Sequence, residues 1–128
     1  MFLAGDFQIK GLEGVDLEHG DYLAVLMDTD CSHCRDAVFE LNWLAEGQGL
    51  PGVVGLSSNG EEEIRAFQEE LRVNFPIGQI SREDFWRLLE NGSVPRTFLV
   101  RDNVVERVWD VEIPGEDALI RVSPPTGG

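Results

Sequence analysis

The most informative stretch of this chain joins an apolar run to a pair of cysteines. It runs Tyr22-Leu23-Ala24-Val25-Leu26-Met27, then Asp28-Thr29-Asp30, then Cys31-Ser32-His33-Cys34. The first part is almost wholly apolar and predicts a strand buried on both faces of a sheet, and the residues after Cys31 predict a helix. The chain has two cysteines in all. A C-x-x-C pair between a strand and a helix predicts thiol–disulfide exchange.

The bulk properties bound the class of protein. A length of 128 residues predicts one domain, which we place at residues 1–122, with a Pro- and Gly-rich tail at 123–128. We expect no membrane span and no leader peptide, because the sequence has neither pattern. The formal net charge of -14 argues against nucleic acid and anionic membranes as partners and is compatible with a basic protein. An acidic surface that only maintains solubility is the simpler explanation of this charge.

Apolar periodicity and turn residues predict alternating strands and helices along the rest of the chain. A short strand at residues 7–10 is turned back by glycines, and a capping box formed by Ser58 and Glu61 begins the second helix. The order predicts an α/β fold, with a mixed central sheet flanked by helices. Strands are predicted at 22–27, 53–56, 74–77, 94–100 and 104–109, and helices at 31–46, 58–71, 81–90 and 114–122.

Three further segments accompany the cysteine pair. They are Phe7-Gln8-Ile9 with the turn and return at 11–17, the helix and Phe-Pro strand at 61–77, and Ser93-Val94-Pro95-Arg96-Thr97-Phe98-Leu99-Val100. In this order the chain resembles the thioredoxin fold and, within it, the TlpA and ResA group of thiol–disulfide oxidoreductases. The resemblance implies an N-terminal hairpin, a central helix–strand insertion and a cis peptide bond before Pro95. It also implies that Val94 and Pro95 contact the substrate.

Two departures from the family concern proton transfer. The family commonly has aromatic residues before the first cysteine, where this chain has Met27-Asp28-Thr29-Asp30. Thioredoxin has a buried acid in the preceding strand, at the position of Val25. Asp28, Asp30 and Asp36 are therefore the candidates for a proton relay.

The expected chemistry assigns different tasks to the two thiols. Cys31 attacks a partner's disulfide as a thiolate, and Cys34 then attacks Cys31 and releases the partner. We expect the unpaired N–H groups of the helix start, with His33 and Ser32, to stabilise the thiolate and tune its pKa. Carboxylates at Asp28 and Asp30 oppose this stabilisation. The sequence leaves open whether the protein acts as a reductase or an oxidase.

Other interpretations of the cysteines remain. Zinc prefers four ligands, and His33 lies between the thiols, where one ion could hardly collect all three groups; we therefore expect no metal and no cofactor besides the redox-active disulfide. A thiol peroxidase is an alternative, because peroxiredoxins share the fold and have a threonine near the reactive cysteine; here Thr29 lies two residues before Cys31. A redox-inactive thioredoxin-like binding module is the non-enzymatic alternative.

The resemblance also implies partners and location. We expect protein thiols and disulfides as partners, including an apocytochrome or a membrane electron donor, and a monomeric protein. We expect an extracytoplasmic location, periplasmic or membrane-tethered, with the cytoplasm as the alternative. The three tryptophans, Trp43, Trp86 and Trp109, are predicted to be core or half-buried packing residues.

Overall fold

The computed structural model of the protein describes Leu3 and residues 7–120. The predicted domain boundary at 122 and the tail at 123–128 lie outside the described residues. The described residues form five strands and four helices in the predicted order: β1 Asp21–Leu26, α1 Ser32–Glu46, β2 Gly52–Ser57, α2 Glu61–Glu70, β3 Ile77–Gln79, α3 Arg82–Leu89, β4 Arg96–Arg101, β5 Val104–Asp110 and α4 Glu116–Leu119.

The strands form one mixed sheet in the order β3-β2-β1-β4-β5. β1 lies at its centre, parallel to β2 and antiparallel to β4, and this position explains why its sequence is apolar on both faces. β4 and β5 form an antiparallel hairpin, in which Asp102 and Asn103 have φ values of 49° and 72°. Both turn residues in the left-handed region are typical of the two-residue turns that join twisted strands. The predicted α/β architecture is therefore confirmed.

Each face of the sheet has its own apolar core. One core contains Cys34 and lies under α1, α2 and α4, and it includes Leu41 of α1 and Phe67 of α2. The other lies under α3 and the N-terminal segment, and it includes Phe85 and Phe7. The first core therefore fixes α1, and with it the two cysteines, against the sheet.

The predicted N-terminal hairpin is wrong for the described residues. Gly11 and Gly14 do turn the chain, with φ values of 89° and 80°. The segment after them does not pair back, because Leu17 packs into the second core. Lys10 instead forms an isolated antiparallel bridge with Gln79, through N–H···O bonds of 2.9 and 2.7 Å. The N-terminal segment therefore pairs with the edge strand of the sheet.

The central helix–strand segment is confirmed, with two local corrections. The predicted capping box is wrong: Gly60 precedes the first turn of α2, and no side chain caps that helix. The strand begins at Ile77 rather than Asn74. Pro76 has no N–H to donate to a sheet, and the Asn74 N–H donates to Asn42 Oδ1 at 3.0 Å instead.

Two of the three tryptophans are not packed as predicted. The side chains of Trp43 and Trp86 are 55% and 60% exposed. Trp109 is half-buried against the first core, as predicted. α1 and α3 therefore each carry a tryptophan on the outer surface.

Candidate active site

The two cysteines lie at the start of α1, with different access to solvent. Cys31 is the residue before the first turn and is half-buried, whereas Cys34 lies in that turn and is fully buried. Both are free thiols. Cys31 is therefore the cysteine that solvent reaches, and Cys34 lies within the first core.

Burial also affects the acidity of the Cys34 thiol. It raises the pKa of Cys34 to about 12 from an ordinary value of 9.0, and the neighbouring Cys31 raises it as well. The Asp28 N–H donates to Cys34 Sγ at 3.4 Å, and this bond acts in the opposite direction. The buried thiol is therefore protonated at neutral pH.

The helix start leaves room for a negative charge. Cys31 has an extended backbone, its side chain makes no capping hydrogen bond, and the first turn of α1 holds no acidic residue. The first N–H groups of a helix have no partner within the helix, and they carry the positive end of its dipole. Ser32 and His33, the predicted tuning residues, are both exposed in this turn.

The loop that carries Cys31 is held by side chains from two other elements. The Thr29 N–H donates to Asn59 Oδ1 at 3.0 Å, and Arg35 Nη1 donates to the Thr29 carbonyl at 3.3 Å. Arg35 is itself fixed by Glu70 at 2.6 Å. No local pattern indicated the contact with Asn59, which follows β2 and lies 30 residues away from Thr29 along the chain.

The three predicted relay residues lie in different surroundings. Asp28 is half-buried, and its charge is close enough to raise the pKa of Cys34. Asp30 and Asp36 are exposed. Val25, at the position of thioredoxin's acid, is fully buried and is paired across the sheet with Thr97. Of the three carboxylates, Asp28 is therefore the one brought to the buried thiol.

Val94 and Pro95 lie at the same end of the sheet as the cysteines. The peptide bond between them is cis, and β4 begins at Arg96, opposite Leu26 at the end of β1. Val94 and Cys31 pack against the same core.

Val111 is a neighbour of Pro95 that the sequence did not indicate. This residue has a φ of 65°, which is rare for a β-branched side chain. Its N–H donates to the Pro95 carbonyl at 2.8 Å, so the end of β5 is tied to the start of β4.

Metal-ligating side chains gather elsewhere. Within Leu3 and residues 7–120, one group of three such residues has its ligand atoms close together, and it is the exposed set Asp16, Glu18 and His19. There His19 Nδ1 lies 2.8 Å from Asp16 Oδ2. Over the same residues, every helix is too short or too polar for a membrane span.

Comparison with known proteins bears on the fold. No protein-family model matches the chain, and no curated protein matches it. Several solved structures are similar. A secreted disulfide oxidoreductase of Mycobacterium tuberculosis, homologous to E. coli DsbE, is 16% identical with a TM-score of 0.68, and the match covers 88% of this chain and 90% of that one.

Two other solved structures agree. The exposed lipoprotein thioredoxin Etrx1 of Streptococcus pneumoniae is 16% identical with a TM-score of 0.69, over 88% of this chain and 93% of its own. StoA of Bacillus subtilis is 16% identical with a TM-score of 0.64, over 81% and 86%. The predicted fold is confirmed: the chain has the thioredoxin-like fold of these structures.

Proposed function

We propose that this protein is a thiol–disulfide oxidoreductase that exchanges electrons with protein disulfides through Cys31 and Cys34. The observation that carries the proposal is the arrangement of the two thiols. A half-buried cysteine lies at a helix start, and a fully buried, protonated cysteine follows it in the first turn, close enough for Cys31 to raise the pKa of Cys34. The similar solved structures include a disulfide oxidoreductase and a thioredoxin, which supports the same chemistry here.

The reaction proceeds in two exchanges. The Cys31 thiolate attacks one sulfur of the substrate disulfide, so the substrate S–S bond breaks and one substrate thiolate leaves. Cys34 then loses its proton and attacks Cys31 Sγ, which breaks the mixed disulfide and releases the second substrate thiolate. Two electrons have passed to the substrate, and the protein holds a disulfide. The reverse sequence oxidises a dithiol substrate.

The second exchange needs an acceptor for the Cys34 proton. We assign this task to the Asp28 carboxylate, because Asp28 is half-buried and electrostatically coupled to Cys34. Asp30 and Asp36 are exposed and serve at most as a route to solvent. We assign His33 and Ser32 to the first exchange, where an imidazole and a hydroxyl in the first turn of α1 stabilise the Cys31 thiolate.

An extended substrate would bind beside the sulfurs. Val94 and Pro95 precede β4 at this end of the sheet, where the backbone of Val94 is the proposed partner for an added strand. Protein thiols and disulfides are the proposed partners, and an apocytochrome or a membrane electron donor is the finer proposal from the family resemblance. The secreted and exposed neighbours support an extracytoplasmic location.

Matched cysteine variants test the proposal. In an insulin-reduction assay with dithiothreitol, we expect Cys31→Ser to lose all activity above background, because the attacking thiolate is gone. Cys34→Ser keeps that thiolate and loses the resolving step, so after it has been reduced and freed of dithiothreitol it should accumulate mixed disulfides with insulin, seen on non-reducing gels. Equal activity of Cys31→Ser and the unmodified protein would contradict the proposal, as would the absence of mixed disulfides with Cys34→Ser.

The direction of electron flow needs a separate measurement. Couples in this fold span about -270 to -120 mV, and about 30 mV changes the equilibrium constant tenfold. A midpoint potential of the Cys31–Cys34 couple near the lower value would identify a reductase. A potential near the upper value would identify an oxidase or isomerase.

A further inference from the structure

A groove made of two adjoining pockets lies along the outer side of α1. Its first part, about 420 Å³ in volume, begins at His33, between the two cysteines in sequence, and is walled by Val111 and Glu112. Its second part, about 330 Å³, is lined by Phe39, Trp43 and the segment 113–116. Glu40 and Ile113 line both parts. We call the whole, between α1 and residues 111–116, the α1 groove.

The far part of the α1 groove presents two aromatic side chains to solvent. Phe39 is 81% exposed and Trp43 is 55% exposed. They are four residues apart on one helix, so they lie on the same face. Exposed aromatic residues of this kind are typical of binding surfaces, where they pack on apolar groups and attract cations.

The rim of the α1 groove carries negative charge. Four carboxylates line it, and no lysine or arginine among the described residues does so: the acids are Asp36, Glu40, Glu112 and Glu116. In contrast, a groove on the other side of the molecule has three cations, Lys10, Arg82 and Arg87, beside the carboxylates of Glu83 and Asp84. The α1 groove therefore differs in having carboxylates with no lysine or arginine among its described lining residues, and it is complementary to a cationic ligand.

We propose that the α1 groove binds a basic segment of the protein substrate, with one apolar side chain of that segment held by Phe39 and Trp43. The proposal rests on the proposed function, because the segment must extend from the cysteine that reacts with Cys31. The groove would thus select, among protein disulfides, those flanked by lysine or arginine and an apolar anchor.

The positions of Phe39 and Trp43 on α1 determine how far the apolar anchor of the substrate lies from its reactive cysteine. Phe39 and Trp43 follow Cys31 by eight and twelve residues, which corresponds to about 12 and 18 Å along a helix. An extended peptide advances about 3.3 Å per residue. The apolar anchor should therefore lie about four to six residues from the reactive cysteine, with the basic residues between them.

Synthetic peptide disulfides test this recognition. Each peptide carries one cysteine as a mixed disulfide with nitrothiobenzoate, two lysines, and a phenylalanine five residues before or after the cysteine. The control peptides replace lysine by glutamate. At low salt we expect kcat/KM for the better lysine peptide to exceed that of its glutamate control by about tenfold, and the ratio to fall in 1 M salt, where screening acts within about 3 Å. Equal rates at low salt would overturn the proposal.

Matched tryptophan variants locate the binding surface. Trp43→Ala should lower kcat/KM for the lysine peptide by about tenfold, since an aromatic contact is lost. Trp86→Ala removes an equally exposed tryptophan from α3, on the other face of the sheet, and should leave that rate unchanged. Equal effects of the two substitutions would place the recognition elsewhere and overturn the proposal.

A small neutral substrate separates this inference from the proposed function. Hydroxyethyl disulfide reports the reactivity of Cys31 without the α1 groove. If the unmodified protein reduces it but shows no preference between the peptides, the groove proposal alone is overturned. If the protein reduces neither hydroxyethyl disulfide nor any peptide, both proposals are overturned. Reduction of both, with the lysine peptide preferred and its kcat/KM lowered in Trp43→Ala but not in Trp86→Ala, supports the groove.

Discussion

The two ends of the sheet differ in whether their polar groups are buried. At the end with the cysteines, Thr29, Ser57 and Thr97 are the buried polar residues of the described chain. At the other end, the carboxylates lie near the surface: Glu106, 44% exposed, pairs with Arg101 at 3.3 Å, and Asp102 accepts the Gly20 N–H at 2.8 Å. Buried polar groups need partners to be stable. The end with the cysteines is therefore where substitutions should have large effects, and the turn end is where substitution of an exposed carboxylate should have a small one.

The largest expected effect comes from the buried thiol. The folded protein holds the Cys34 proton up to a pKa of about 12, whereas the unfolded chain releases it near 9.0. Stability from this group is fully present below pH 9 and is lost as the pH rises toward 12. Relative to Cys34→Ala, the free energy of unfolding of the reduced protein should fall by about 1.4 kcal/mol per pH unit in this window.

Urea unfolding of both proteins under reducing conditions, at intervals from pH 8 to 11, measures the difference. Other groups that titrate in this range are common to the two proteins and cancel. Parallel pH dependences would mean that Cys34 is not protected as its burial requires.

The second effect concerns the hydrogen bonds that hold the loop carrying Cys31. Asn59→Ala removes the acceptor for the Thr29 N–H and for the Ser57 hydroxyl, which donates to Asn59 Oδ1 at 2.6 Å. We expect a loss of about 2 kcal/mol in the free energy of unfolding and a several-fold change in the rate of Cys31 alkylation by iodoacetamide.

Asn59→Asp is the matched control. It keeps an oxygen for both donors and loses the bond to Glu63, which is 3.3 Å long. Its loss of stability should be clearly smaller than that of the alanine variant, and its alkylation rate should be closer to the unmodified protein. Equal losses in both variants would mean that Asn59 acts through its contact with α2 rather than through the loop.

A smaller effect of opposite sign is expected at Thr97. Its hydroxyl is buried and makes no hydrogen bond to any described residue. Valine has nearly the same shape without the polar group, so Thr97→Val should raise the free energy of unfolding by about 1 kcal/mol. Thermal unfolding checks this, with Thr97→Ser as the control that keeps the hydroxyl. A destabilised valine variant would show that the hydroxyl has a partner in solution.

Local sequence patterns predicted most of this fold. The apolar runs of β1, β2 and β4 and the stripe Ala37, Leu41 and Leu44 each reflect one element's own burial, which the sequence records directly. The N-terminal hairpin failed because the partner of Lys10 is Gln79, far along the chain. Strand pairing depends on such distant partners, and a short alternating run does not specify them.

The cysteine pair of the candidate site was predictable from the sequence, and the residues that hold it in place were not. The spacing of Cys31 and Cys34 is local, and so is their place at a strand–helix junction. Asn59 and Val111 reach the site through contacts between distant segments, for which one sequence has no signal. The exposure of Trp43 did have a signal in the sequence: this residue lies two positions beyond Leu41, off the buried stripe of α1.

The smallest effect is expected at the turn end of the sheet. Glu106 pairs with Arg101, and its side chain is 44% exposed, so solvent screens the pair. Arg101 also lies 3.7 Å from Asp21 and donates to the Leu119 carbonyl at 3.2 Å. It therefore keeps partners when Glu106 is changed. Glu106→Gln should alter the free energy of unfolding by less than about 0.5 kcal/mol and leave Cys31 alkylation unchanged. Because this end is separated from the cysteines by the length of β4, an alkylation change in Glu106→Gln would show that the two ends are coupled, and the contrast between them would no longer hold.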